Sequence, residues 1–197
     1  QRINEPVEFK VWDELNPDVD RLLVSFERYL AHLRASGETG RALSNKRKIK
    51  EARLAKIFSE GPADTQFTVG MGYRQGIGNP RDDKKAAQWL KKSADNGYGQ
   101  AKTALAEMYA KGEGVKKNLS ISKRLYFEAA QRGDSKALGM IKKEANVGRV
   151  WAQFSLGYLY ESGQGVGKNI EAAAKWYVKA ADQGSKAALS RLKQLPN

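Results

Sequence analysis

The sequence predicts an all-α fold: a right-handed α-solenoid of helix–turn–helix repeats, with an N-terminal helical pair and a C-terminal capping helix. Three observations predict it. The 197-residue chain matches itself when displaced by 36 residues and again by 51. Glycines recur at fixed places between two apolar stripes of helical period. The composition, 41% hydrophobic with 19 Gly and 5 Pro, suits a chain that buries a core and excludes a wholly disordered one.

The first displacement aligns Leu105 with Val69, Tyr109 with Tyr73, Gly112 with Gly76, Gly114 with Gly78, Leu125 with Trp89, Ala130 with Ala94 and Gly133 with Gly97. The second aligns Ala101 with Ala152, Leu105 with Leu156, Tyr109 with Tyr160, Gly112 with Gly163, Gly114 with Gly165, Asn118 with Asn169 and Gly133 with Gly184. Three copies follow, at 63–97, 98–133 and 149–184. In the third, Ala152, Leu156, Leu159 and Tyr160 make one stripe, and Ala173, Trp176, Tyr177 and Ala180 the next. Gly163, Gly165 and Gly167 break the first helix, Asn169 caps the second, and Gly184 ends it. One such hairpin cannot cover its own apolar face, so neighbouring hairpins must stack.

The longer step leaves 15 surplus residues between the second and third copies. Ser135–Lys143 resembles Ser185–Lys193, and both follow the glycine that closes a second helix. The sequence predicts an extra helix at 135–146, a capping helix at 185–195, and a local break of the superhelix at the extra helix.

The segment from Ala152 to Tyr160, then Gly163-Gln-Gly-Val166, then Ala174 to Ala181 and Gly184, resembles the Sel-one-like repeat (SLR) family, a cousin of the tetratricopeptide repeat. The resemblance covers roughly two-thirds of the chain. The first copy departs from it at Asn79-Pro80 and Leu90, and the second at Leu125. The family's disulfide-linked branch does not apply, because the chain has no cysteine. The resemblance implies a non-catalytic adaptor that holds a partner protein or peptide in the concave groove. In bacteria such proteins are often exported and serve envelope assemblies, so a periplasmic or secreted place is expected, with a cytoplasmic one still open. Gln1 in place of Met leaves signal-peptide cleavage and trimming of a longer chain equally open.

Residues 1–62 do not match the repeat. Asn16-Pro17 is a helix start, followed by the stripe Val19, Leu22, Leu23, Phe26, Leu30 and Leu33. A turn at Ser36–Gly40 precedes a second helix from about Arg41 to Phe58.

Catalytic signals are weak. His32 is the single histidine and has no nucleophile beside it. Asp82-Asp83 reads as a favourable helix start, not an acid–base pair. Gly70–Gly76 lacks dinucleotide spacing, and Gly163–Lys168 lacks the first Gly and the final Ser or Thr of a phosphate loop. No enzyme activity, metal, cofactor or small-molecule substrate is expected. No run of 18 apolar residues is present, so no membrane-spanning helix is expected.

The formal net charge is +13. Residues 41–58 hold seven basic side chains against one acid. The alternative function is therefore binding of an anionic polymer, nucleic acid or acidic polysaccharide, through Arg41, Lys46, Arg47, Lys48, Lys50 and Arg53; nucleic acid is the less favoured partner. For the leading reading, the resemblance implies that first helices line the concave face. Met71, Gln75, Glu107, Lys111, Trp151, Ser155 and Tyr158 project from them as partner-binding candidates. Trp151 and Tyr158 are the anchors, and Lys and Arg steer an acidic partner.

Overall fold

The computed structural model describes residues 60–77 and 80–196. They form eight helices and no strand: α1 Ala63–Gln75, α2 Asp83–Asp95, α3 Gly99–Lys111, α4 Leu119–Gln131, α5 Ser135–Asn146, α6 Val150–Ser162, α7 Ile170–Asp182 and α8 Lys186–Leu192. The expected N-terminal helical pair, with His32, lies outside the described residues.

The helix boundaries follow from local chemistry. Asp82, Asn118, Asp134, Asn169 and Ser185 stand at the N-termini of α2, α4, α5, α7 and α8, and each side chain accepts a hydrogen bond from the N–H three residues on. Such a cap stabilises a helix by about 1 kcal/mol. α1, α3 and α6 end on Gly76, Gly112 and Gly163 in the left-handed conformation. The other four connections carry Gly97, Gly133, Gly148 and Gly184, also at positive φ. Each connection reverses the chain. In all three repeats the loop closes by the same bond: the N–H of Asp82, Asn118 or Asn169 donates to the carbonyl of Tyr73, Tyr109 or Tyr160 at 2.9 Å.

Within a hairpin the helices meet where the first one has a small residue. A Cβ added at Gly70 would lie 2.9 Å from Leu90 Cγ, and one at Gly157 would lie 2.7 Å from the Tyr177 ring. The equivalent residue of the second repeat, Ala106, is fully buried. Tyr177 is itself fully buried, and its hydroxyl donates to Glu161 Oε2 at 2.5 Å. Burial first, then that acceptor, pushes its phenol well above the ordinary range.

α5 does not break the array. It packs on both α4 and α6, and Ala137, Ile141 and Ala145 join one core that runs from Ala86 in α2 to Leu159 in α6. The surplus changes the phase instead. One row contains α1, α3 and α5: Glu107 of α3 pairs with Arg74 of α1 at 3.0 Å and with Lys136 of α5 at 2.6 Å. The other row contains α4, α6 and α8. Lys123 lies 5.5 Å from the Trp151 ring, Phe127 is 5.6 Å from Tyr158, and Gln131 donates to Gln164 at 2.6 Å. These pairs ascend together along both helices, so α4 and α6 run parallel.

The loop glycines record the same shift. A Cβ on Gly114 would collide with the Asp83 carbonyl, at the start of α2; one on Gly165 would collide with the Ala130 carbonyl, near the end of α4. Because each helix reverses the chain, one extra helix moves the first helix of the third repeat into the opposite row. The sequence expectation of a break is thus replaced by a change of row.

Three changes to the chain check this packing. Gly157→Ala forces a methyl against the Tyr177 ring and is expected to cost about 1–3 kcal/mol in urea unfolding. Gly139→Ala, mid-helix in α5 with nothing within 4 Å of an added Cβ, is expected to stabilise by about 0.5–1 kcal/mol. Deleting 134–148 restores the 36-residue step and should keep the helical circular dichroism per residue. Paired cysteines at 127 and 158 should then lose the short bismaleimide cross-link that they form in the undeleted chain.

Candidate functional site

The predicted site residues divide between the two rows. On the first, Met71 packs against the core and Gln75 is exposed at the end of α1. Lys111 is exposed and lies 3.4 Å from Glu113. Glu107 is not free for a ligand. Arg74 bridges it to Glu113, and Lys136 holds its other oxygen. Burial opposes its ionisation, but the hydrogen bonds from Lys136 and Arg74 outweigh burial and hold the carboxyl below the usual range. Nearby, burial, with Glu107 adding to it, pushes the Tyr126 phenol up to about 12.

Trp151, Ser155 and Tyr158 lie on α6 and so belong to the other row. They line a groove of about 410 Å³ with Lys123, Arg124 and Phe127 of α4, Phe154 of α6 and Arg191 of α8. The floor is aromatic. Phe127 meets Tyr158 edge-on, and Phe154 lies 5.6 Å from the buried Tyr177, which fixes its ring from behind. Trp151 is half-buried.

The rim is cationic. Lys123 sits over Trp151, and Arg191 lies 5.3 Å from the Tyr158 ring centroid. Arg191 also reaches Glu161 at 3.3 Å. Arg124 is 3.8 Å from Glu128, whose other oxygen is held by Lys102. Lys123 has no carboxylate within ion-pair reach among the described residues. Among the described residues no acidic side chain lines the groove.

Sequence reasoning named three of the eight lining residues and missed Lys123, Arg124, Phe127, Phe154 and Arg191. The signal for Lys123, Arg124 and Phe127 was the parity of the surplus, because a single added helix brings α4 and α6 side by side. Arg41, Lys46, Arg47, Lys48, Lys50 and Arg53 lie outside the described residues. Among the described residues no group of three His, Cys, Asp or Glu could hold a metal ion. No helix among them is long and apolar enough to cross a membrane.

The model of the Sel1 repeat matches residues 63–98, 99–134 and 152–185, and it skips α5. The chain belongs to the Sel1 repeat family. Sel1 repeats build α-solenoids that serve as protein–protein interaction scaffolds, a non-enzymatic type. Chitin synthase regulator SKT5 of Saccharomyces cerevisiae is 33% identical over 164 residues, covering 71% of this chain and 22% of that protein. DAP3-binding cell death enhancer 1 of Rattus norvegicus is 27% identical over 180 residues, covering 72% of this chain and 32% of that one. The chain thus spans less than a third of these relatives. Among solved structures, c5321, a protective antigen of uropathogenic Escherichia coli with an SLR fold, is 31% identical and covers 73% of this chain and 35% of that one, with a TM-score of 0.41.

The Glu107 cluster gives a pH prediction. Its folded carboxyl titrates lower than the unfolded one, near pH 4.3, so its stabilisation is complete above that value and lost as pH falls through the folded pKa. Glu107→Gln should cost about 1–3 kcal/mol at pH 7. In urea titrations across pH, the gap to wild type should narrow below about pH 4.

Proposed function

We propose that this Sel1 repeat chain is a non-catalytic scaffold that holds a partner protein through the α4–α6–α8 groove. The observation that carries the reading is an aromatic floor left half-open among cations, with Trp151 and Tyr158 at its centre. Large aromatics at the middle of a preorganised surface supply much contact area at little cost in ordering. The first-row surface offers less, because Glu107 is spent on Arg74 and Lys136. The relatives support an adaptor role. They are named for another protein that they regulate or bind, a chitin synthase in one case and DAP3 in the other, and not for a reaction.

The test is site-specific photocross-linking in native extract, with the photoreactive residue at 155 in the groove or at 75 or 111 on the other row. A discrete adduct is expected from position 155, in yield well above the other two. Trp151→Ala, checked for unchanged helicity, is expected to weaken that partner about fivefold or more. Adducts from 75 and 111 with none from 155 would move binding to the first row.

A further inference from the structure

We infer that the α4–α6–α8 groove selects a partner segment of defined chemistry: one bulky apolar side chain flanked by carboxylates. This rests on the scaffold reading above and specifies the partner at that same site. The first argument is charge. Lys123, Arg124 and Arg191 stand on the rim; Glu128 and Glu161 reach Arg124 and Arg191, while Lys123 has no carboxylate within ion-pair reach among the described residues. The carboxylates nearest to hand are already engaged. Glu128 is held by Lys102, and Glu161 accepts from both Tyr177 and Arg191. The rim therefore retains cationic capacity at Lys123, and Arg124 and Arg191 share their carboxylates with Lys102 and Tyr177. A basic or neutral segment gains nothing from it, while an acidic one forms charge-assisted hydrogen bonds and is drawn in over longer range.

The second argument is the floor. Four aromatic side chains converge there, from Phe127, Trp151, Phe154 and Tyr158. A depression of about 410 Å³ at the junction of three helices has room for a large apolar side chain.

The third argument separates a peptide from single-stranded nucleic acid, which aromatic and cationic groups can also bind. Stacked bases need open ring faces. Here Lys123 lies over Trp151, Arg191 lies against Tyr158, and Phe127 is turned edge-on to Tyr158. A stacked base would have to displace those cations. An inserted side chain leaves them in place, and its neighbouring carboxylates meet them where they stand.

The groove also depends on α5. The extra helix is what sets α6 beside α4, so a regular three-repeat array of this sequence would separate Lys123 and Phe127 from Trp151 and Tyr158. Selectivity of this kind is thus a property of the irregular array.

The test is selection of a random peptide display library on the full 197-residue chain, followed by direct titration of the enriched peptides. Lys123→Glu/Arg191→Glu serves as the counter-target, with circular dichroism to confirm its fold. Enriched peptides should carry one Phe, Trp, Leu, Ile or Met flanked by Asp or Glu. They should bind the charge-reversed variant about tenfold or more weakly. They should also compete with the adduct at position 155. Because Lys123→Glu could disturb the Trp151 ring, Lys123→Gln/Arg191→Gln is the second variant and should show a smaller loss in the same direction.

Neutral or basic peptides, affinity unmoved by either variant, or no enrichment at all would overturn the inference. So would an oligouridylate competing with the adduct more strongly than the enriched peptides, which would assign the groove to nucleic acid. If the position-155 adduct forms but the selected peptides are not acidic, the scaffold reading stands and only the partner chemistry fails. If no adduct forms there, both fail.

Discussion

Reversal of the chain at every helix end is the constraint on which the rest of this structure depends. Each of the seven connections contains a glycine at positive φ, and each helix packs against the one before it. A helix therefore belongs to one row or the other by its number in the chain. Side-chain chemistry does not choose the row; it only makes the chosen contacts good or poor. α6 carries the same repeat signature as α3, yet it faces the opposite way relative to α4, because α5 precedes it.

That constraint explains what the sequence disclosed and what it hid. The hairpin is a local object, so its signals lie close together. The Gly163–Gly165 loop, the Asn169 cap and the Tyr160 stripe are legible within 25 residues, and the structure carries them as one bonded unit. The close approach of Gly157 to Tyr177 is likewise foreshadowed by a small residue at the same place in each copy, Gly70, Ala106 and Gly157. Which helix faces which is not local. It depends on how many reversals separate them, and hydrophobic periodicity carries no record of that number. Trp151 and Tyr158 stood out because they are large for exposed repeat positions. Phe127 did not, because nothing in its own helix announces α6 as a neighbour.

The charge illustrates the same distinction. A net excess of cations along the repeats reads from composition as a solvated face. Within the array the cations have different tasks. Arg74 and Lys136 tie α1, α3 and α5 together through one carboxylate. Lys102 ties α3 to α4 through Glu128. These ion pairs are partly shielded and join rows or hairpins, so they fix register more than they add stability. Lys91–Asp95 and Lys175–Glu171 are exposed pairs within one helix and contribute a few tenths of a kcal/mol at most. Lys123 falls in neither class. It is held over an indole with no carboxylate partner among the described residues, an arrangement that gains from an incoming anion and loses little by waiting for it.

An irregularity in a repeat array can therefore add a binding surface without adding a domain. Regular stacking presents like helices to like helices, and equivalent positions recur with equivalent neighbours. Inserting one helix sets a second helix of one repeat parallel to a first helix of the next, a pairing with no counterpart elsewhere in the described array. The residues along that seam need not satisfy the repeat register, because no other hairpin copies their environment. Aromatic groups can then accumulate on one side and cations on its edge. The packing cost is small, since Ala137, Ile141 and Ala145 of α5 continue the core without a gap. The seam is rigid because helices on both sides are anchored in that core, so little conformational entropy remains to be lost when a partner segment is seated. Specificity at such a seam comes from the acids that it lacks as much as from the cations and rings that it holds.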